Sequence, residues 1–164
     1  SKVTKKKDFY WITNDQALVR QDIVIYSYPY TDKNTFTKDF IIAKRDSVMK
    51  ANIPGELAGS YMGTELKYAD PYFNEIWVND RYCAELRGLW KMMHGASMGG
   101  PFCSHTRLDE INQRVVTIEV FVFAPAKKKR NSLRQLEAIL YSAKLPQDIN
   151  ALQEISVKPD SIKK

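Results

Sequence analysis

One segment, residues 101–125, constrains the fold of this chain more than any other. Its sequence is PFCSHTRLDEINQRVVTIEVFVFAP. Residues 102–108 and 114–124 within it are strand-like, and the second stretch is rich in β-branched and aromatic side chains. A polar turn around Ile111 and Asn112 separates the two stretches, and this arrangement predicts a β-hairpin. The second stretch is apolar on both faces, which is typical of a strand in the interior of a sheet.

The turn also sets the register of the hairpin. With Ile111-Asn112 as the loop, Cys103 faces Val120 and His105 faces Ile118. Both side chains then lie on an apolar face, where a cysteine behaves as a small hydrophobic residue with a raised pKa. A shift of one residue would place them on the opposite face. The favoured register predicts that both are interior side chains.

The remaining regular segments complete an α+β architecture. Helical periodicity marks two amphipathic segments, and β-rich patterns mark the strands. The predicted helices cover residues 34–53 and 126–143, and the other predicted strands cover residues 8–13, 22–30, 60–67, 74–79 and 81–93. The expected fold is a mostly antiparallel sheet with two amphipathic helices packed on one face.

The net charge of +6 comes from the two ends of the chain. Residues 1–7 contribute four lysines and residues 158–164 a net charge of +2, whereas residues 8–157 hold 18 basic and 18 acidic residues. Binding to nucleic acid requires Lys and Arg clustered on the folded body, so we expect no nucleic-acid partner. We divide the chain into a basic tail at 1–7, a single α+β domain at 8–145 and a polar C-terminal tail at 146–164.

The thiols and imidazoles of the chain are Cys83, His94, Cys103 and His105. Four such ligands could hold a tetrahedral zinc ion, although their spacing matches no usual zinc motif. A hydrolase-like enzyme would use Cys103 with His94 or His105, but no helix N-terminus precedes Cys103 to lower its pKa. A disulfide between Cys83 and Cys103 would need neighbouring strands and an oxidising compartment. The favoured interpretation assigns no catalytic residue, metal or cofactor.

Aromatic side chains supply the first candidate binding surface. Tyr26 and Tyr28 share one face of a predicted strand, and Trp77 lies in a long aromatic segment with many turn residues. Tyrosine rows and exposed aromatic loops are common in sites for peptides and sugars. The same tyrosines could equally belong to the core.

Charged side chains supply the second candidate surface. Glu85 and Arg87 share a face of one predicted strand, and Glu119 lies on another. If these faces coincide, the three residues form a polar patch on the side of the sheet that the helices leave open. An ion pair between neighbouring strands would account for the same residues without a ligand.

The chain resembles a family of exported Bacteroidetes lipoproteins of unknown function. The similarity is carried by the blocks LVRQDIVIYSYPYTD, KRDSVMKANIPG, GSYMGTE, ELRGLWKMMHGASMGGPFCSH and FVFAPAKKKRNSLRQLEAILYS, which span about residues 8–144. The resemblance implies a cell-envelope location, on the periplasmic side or anchored to the outer membrane. It also implies a lipidated cysteine upstream of Ser1, and it assigns no catalytic residues.

The sequence therefore predicts a non-enzymatic cell-envelope domain with a role in binding or assembly. The expected partner is an envelope protein, a peptide or a glycan, and the expected contact with the membrane is only through an upstream lipid anchor. The cysteine-dependent hydrolase and the zinc-binding module remain open as alternatives.

Overall fold

The computed structural model describes residues 1–15, 18–125 and 127–156. Its strands are β1 (Lys2–Lys6), β2 (Phe9–Thr13), β3 (Arg20–Pro29), β4 (Tyr61–Thr64), β5 (Tyr72–Val78), β6 (Arg81–Met93), β7 (Gly99–Asp109) and β8 (Arg114–Phe123). Its α-helices are α1 (Lys38–Asn52), α2 (Arg130–Ser142) and α3 (Pro146–Ser156), and a 3₁₀ turn at Lys33–Phe36 precedes α1. The predicted α+β class and the predicted strands are confirmed.

The strands form one antiparallel sheet in the order β1-β2-β3-β8-β7-β6-β4, with β5 also paired to β6. β8 lies in the interior of the sheet, as its two apolar faces predict. Cys103 is paired with Val120 and His105 with Ile118, so the register predicted for the hairpin is confirmed.

The two predicted helices cover opposite faces of the sheet. On one face, Phe121 of β8 belongs to a core cluster with Met49 of α1. On the other face, Val120 of β8 belongs to a cluster with Leu140 of α2. The prediction that both helices pack on one face is wrong, because a central strand that is apolar on both sides needs cover on both sides. We call these sides the α1 face and the α2 face.

Residues 1–7, interpreted from sequence as a basic tail, contribute an edge strand. β1 pairs antiparallel with β2, from Lys2 opposite Thr13 to Lys6 opposite Phe9. The lysines of this strand are exposed. Pairing satisfies the backbone of β1 on one side, and charged side chains on an edge strand discourage pairing with a further chain.

Residues 146–156, interpreted as the start of a polar tail, form the helix α3. Arg107 donates to both carboxylate oxygens of Asp148, each at 2.9 Å, and both residues are buried. Gln147 also donates to the backbone oxygen of Leu108 at 2.8 Å. These contacts join α3 to β7 through pairs distant in sequence, so no local pattern indicated them. Residues 157–164 lie outside the described part of the chain.

The two sheet-covering helices begin differently. Thr37 caps α1, since its side chain accepts a hydrogen bond from the backbone N–H of Phe40. Lys129 precedes α2, and its side chain makes no capping hydrogen bond within the described residues. α2 therefore starts four residues after Ala126, the predicted start, which itself lies outside the described residues. Among the described helices, none has the length and apolar character needed to cross a membrane.

Candidate functional site

The α2 face holds a buried polar cluster centred on Glu85 of β6. The pairing of β6 with β7 places His105 directly across from Glu85, and Glu85 Oε2 lies 3.1 Å from His105 Nε2. The same oxygen lies 3.9 Å from Cys103 Sγ and 3.5 Å from the hydroxyl of Tyr141 on α2. One carboxylate thus gathers a thiol, an imidazole and a phenol beneath the helix.

Arg87 joins this cluster to α2. Its guanidinium donates to both oxygens of Glu85, at 2.8 Å from Nε and 3.1 Å from Nη2. It also donates from Nη1 to Glu137 of α2 at 2.7 Å. As predicted, Glu85 and Arg87 share a strand face. We call Glu85, Arg87, Cys103, His105, Glu137 and Tyr141 the Glu85 cluster.

The hydrogen bonds of this cluster hold Glu85 in its charged form. Burial by itself favours the neutral acid, but donation from His105 and Arg87 outweighs burial and lowers the pKa of Glu85 to about 2. His105 is buried, and its Nδ1 has no hydrogen-bond partner among the described residues. An unpaired buried polar atom costs about 1–3 kcal/mol, so the imidazole is incompletely satisfied.

Neither cysteine is an activated nucleophile. Burial raises the pKa of Cys103, and it raises the pKa of Cys83 to about 12. The thiolate is the reactive form, and both thiols are fully buried. His94, the alternative base, is exposed in the loop between β6 and β7. The arrangement does not support the hydrolase hypothesis.

The four residues proposed from sequence as zinc ligands do not converge. Cys103 is paired with Arg87, four residues along β6 from Cys83, which corresponds to about 13 Å along the strand. His94, in the loop after β6, lies beside Tyr61 of β4 with the rings tilted and their centroids 6.0 Å apart. The interpretation of Cys83, His94, Cys103 and His105 as one zinc site is therefore wrong. Both cysteines are free, and their separation along the sheet is too large for a disulfide.

The predicted polar patch of Glu85, Arg87 and Glu119 does not form either. Glu119 of β8 is fully buried on the α1 face, opposite the face that carries Glu85 and Arg87. Each of its oxygens accepts a hydrogen bond from Arg45 of α1, at 2.8 Å from Nε and 2.7 Å from Nη2. The prediction failed because the register of the sheet pairs Glu85 with His105 and His105 with Ile118, which places Glu85 on the face opposite Glu119.

Arg45 is held on every side. Its Nη1 donates to the Thr64 hydroxyl at 2.9 Å, and its guanidinium lies 4.0 Å from the centre of the Phe102 ring. Burial would lower the pKa of Arg45, but the charge of Glu119 and its hydrogen bonds raise it. Burial also raises the pKa of Glu119, against the opposing effect of Arg45. The pair is a sealed structural contact with no route for a ligand.

The aromatic candidates fall in three different environments. Tyr26 is buried in the core of the α1 face, and Tyr28 is half-buried beside it with a ring-centroid distance of 6.4 Å. Trp77 is 73% exposed on β5. Tyr26 therefore belongs to the core, and the three rings do not form one surface.

A pocket that the sequence did not indicate lies at one end of the α1 face. It encloses about 210 Å³ between the loop after α1 and the loop joining β6 to β7. Its apolar lining consists mainly of Trp11, Trp90, Phe121, Phe123, Met62, Met92 and Met98. Two charged side chains, Arg20 and Glu56, also line it. Aromatic and thioether surfaces with few polar groups are typical of a binding pocket.

Hydrogen bonds and aromatic packing hold the pocket in shape. The indole N–H of Trp11 donates to Asp22 at 2.8 Å, and Arg20 donates to the same carboxylate at 3.0 Å. The indole N–H of Trp90 donates to the backbone oxygen of Val122 at 3.2 Å. Its ring also lies edge-on to Phe121 at 5.6 Å. Both tryptophans are therefore oriented without a ligand.

Two sites were thus missed by the sequence analysis, for different reasons. The pairing of Glu85 with His105 could have been predicted from a hairpin between β6 and β7 centred on Gly95, because the two residues are equally far from Gly95 in sequence. The pocket had no local signal, because its lining comes from separate strands and loops of the chain.

The fold and the two sites define an α+β domain with an antiparallel sheet covered on both faces. The chain belongs to the family described as Domain of unknown function (DUF4837), which matches residues 1–142. The matched region begins with β1 and ends with α2. No curated protein matches the chain.

Proposed function

We propose that this protein is a non-enzymatic binding domain and that its ligand site is the aromatic pocket at the end of the α1 face. The observation that carries this proposal is the preformed apolar cavity of about 210 Å³ that contains two oriented indoles, Trp11 and Trp90. Apolar cavities with few polar groups and fixed walls are the usual sites for ligands. The thiols, by contrast, are buried and protonated.

The size of the pocket suits a single large apolar side chain. An apolar cavity of about 150 Å³ can hold a benzene ring, and this pocket is somewhat larger. It is smaller than the roughly 300–1,000 Å³ of sites that enclose a whole drug-sized ligand. We therefore propose a peptide or a partner protein that inserts one aromatic or long aliphatic residue.

The polar groups of the pocket favour a peptide over a glycan. A sugar ring carries hydroxyls around its rim that need several donors and acceptors, whereas the charged lining consists of Arg20 and Glu56. Beside an inserted side chain, Arg20 can donate to a peptide carbonyl and Glu56 can accept from a peptide N–H. Glu56 is exposed and Arg20 partly exposed, so both can reach a bound backbone.

Calorimetric titration with blocked Gly-Gly-X-Gly-Gly peptides tests the proposal. Peptides with Phe or Leu at X should bind at least about tenfold more tightly than the peptide with Ala, because burial of such a side chain contributes about 1.5–3 kcal/mol. Methyl glycosides should show no saturable binding. Equal affinity for all peptides, or preferential binding of the glycosides, would contradict the proposal.

A matched pair of variants ties the binding to the pocket. Ala96→Phe places a ring in the pocket lining at an exposed loop residue, whereas Ala151→Phe adds the same ring on exposed α3. The first substitution should abolish binding of the Phe peptide and the second should leave it unchanged. Binding that survives Ala96→Phe would place the ligand elsewhere.

We further propose that the domain works at the cell envelope of a Bacteroidetes bacterium, as part of a lipid-anchored protein. The support is the sequence resemblance to exported lipoproteins in five blocks. Fatty-acid labelling and fractionation of cells producing the native protein test this location. A lipid-labelled protein in the envelope fraction is expected, and an unlabelled protein in the cytosol would contradict it.

A further inference from the structure

We infer that Glu85, Cys103 and His105 form a zinc site beneath α2, separate from the aromatic pocket. A carboxylate oxygen, a thiol sulfur and an imidazole nitrogen from these residues all lie within 4.8 Å of one another. This mixture of oxygen, sulfur and nitrogen ligands is typical of zinc among the common divalent ions. The set differs from the four residues considered from sequence, since it takes a carboxylate and leaves out Cys83 and His94.

The distances match the size of a zinc coordination shell. Zinc bound at about 2.0 Å by oxygen and nitrogen and about 2.3 Å by sulfur separates neighbouring ligand atoms by roughly 3.3–3.6 Å. Glu85 Oε2 lies 3.1 Å from His105 Nε2 and 3.9 Å from Cys103 Sγ. The third separation, between Cys103 and His105, is within 4.8 Å, so side-chain shifts of up to about 1 Å complete the three-ligand arrangement.

The charges of the cluster also favour a divalent cation. With Glu85 and Glu137 ionised and Arg87 protonated, the Glu85 cluster carries a net charge of −1. Binding of zinc releases the thiol proton of Cys103 to solvent and converts the sulfur to a thiolate. The cluster then carries −2, which one zinc ion neutralises.

His105 presents Nε2 to the cluster. A ring that carries its proton on Nδ1 keeps a lone pair on Nε2, which lies 3.1 Å from Glu85 Oε2. On zinc binding the ring proton moves from Nε2 to the buried Nδ1, which has no partner among the described residues, and Nε2 and Oε2 both bind the ion. The imidazole therefore has the environment of a metal ligand.

We assign the fourth coordination position to a water molecule on the side of the cluster bordered by Arg87 and Tyr141. The Tyr141 hydroxyl lies 3.5 Å from Glu85 Oε2, and the side chain of Arg87 is 34% exposed. Three protein ligands and one water complete a tetrahedral shell.

Zinc titration of the full chain tests the site. The protein, reduced and freed of metal and of any purification tag, is titrated with Zn²⁺ in competition with a chromogenic chelator, and separately with Co²⁺ alone. We expect one zinc per chain and a sulfur-to-cobalt charge-transfer band in the Co²⁺ spectrum.

The two cysteines provide a matched control. Both are fully buried on strands, but only Cys103 belongs to the cluster. Cys103→Ser should remove the charge-transfer band and weaken zinc binding more than about tenfold. His105→Gln should weaken zinc binding by a similar factor. Cys83→Ser should leave both unchanged.

Three results would overturn the inference: no stoichiometric zinc, a cobalt spectrum without the charge-transfer band, or loss of that band in Cys83→Ser. If circular dichroism shows that Cys103→Ser does not fold, the cobalt spectra of the wild-type protein and of Cys83→Ser still test the site, because both should show the charge-transfer band. Peptide binding at the aromatic pocket does not depend on any of these results.

Discussion

Each face of the sheet carries an arginine–glutamate ion pair, and the two pairs have different surroundings. On the α1 face, Arg45 and Glu119 form a two-bonded ion pair in which both side chains have 0% exposure. On the α2 face, Arg87 and Glu85 form an equivalent pair, but the arginine side chain is 34% exposed. Each arginine also has a second carboxylate nearby, Asp46 for Arg45 and Glu137 for Arg87, but a thiol and an imidazole adjoin only the pair on the α2 face.

This difference separates a structural contact from a site with spare chemistry. Arg45 of α1 donates hydrogen bonds to both oxygens of Glu119 on β8 and to the hydroxyl of Thr64 on β4, and these bonds connect α1 to the sheet. The Glu85 cluster contains an imidazole nitrogen without a partner among the described residues and a protonated thiol, and it adjoins the partly exposed Arg87. Buried charge alone therefore does not identify a site, whereas ligand atoms of three kinds gathered within 4.8 Å of one another do.

Glu119→Gln should give the largest loss of stability. Removing the carboxylate leaves the buried charge of Arg45 with only the partly exposed Asp46, 3.5 Å away, as a counterion. Breaking a buried ion pair costs up to about 3–5 kcal/mol. Urea unfolding measures the free-energy change. On the other face, Glu137→Gln should cost less than about 1 kcal/mol, because Arg87 keeps Glu85 and reaches solvent. Equal losses for the two variants would remove the distinction between the faces.

Both cysteines should resist labelling in the folded protein. Because burial raises both thiol pKa values and excludes solvent, reaction with a thiol reagent at pH 8 should be at least about 100-fold slower than in denaturant. Single-cysteine variants distinguish Cys83 from Cys103. A folded-state Cys103 that reacts as fast as the denatured control would restore the hydrolase hypothesis.

Glu85→Gln should produce a pH-dependent loss of stability. The folded pKa of Glu85, about 2, lies below its ordinary value of 4.5. Its charge therefore stabilises the fold above about pH 4.5, and this contribution is lost as the pH falls toward 2. We expect the variant to be about 2 kcal/mol less stable at pH 7, after allowance for solvent near Arg87. Urea unfolding across this pH range should show the difference shrink in acid, and a constant difference would contradict the assignment.

The smallest expected effect concerns the caps of the two helices. Thr37→Ala removes the N-cap of α1 and should cost about 1 kcal/mol. Lys129→Ala, at the corresponding position of α2, should change stability by only a few tenths of a kcal/mol, because no side-chain capping bond exists there. Thermal unfolding of the two variants compares them, and an equal loss would show that the α2 terminus is capped in solution.

The strands and one register could be predicted from sequence because they depend on local alternation and on a single turn. The position of the helices could not, because β8 is apolar on both faces and either face could have accepted either helix. β1 and α3 were missed for a related reason. Their stability comes from partners far away in sequence, such as Arg107 with Asp148, and their own composition is polar.

The candidate site was predictable only in part. The interior position of Cys103 and His105 followed from the hairpin register. Glu85 was assigned to the wrong neighbours because the register between β6 and β7 had not been fixed. Arg45 gave no signal, because an arginine between the apolar positions of a helix is usually exposed. The aromatic pocket depends entirely on tertiary structure.

The central claim is that ligands bind in the aromatic pocket of the α1 face, and the three indole N–H signals of the chain test it most directly. Trp11 and Trp90 line the pocket, and Trp77 is exposed on β5 as an internal control. In a nuclear magnetic resonance titration with the blocked Gly-Gly-Phe-Gly-Gly peptide, the first two signals should shift and saturate together while the third stays still. A shift confined to Trp77, or no shift at millimolar peptide, would contradict the account.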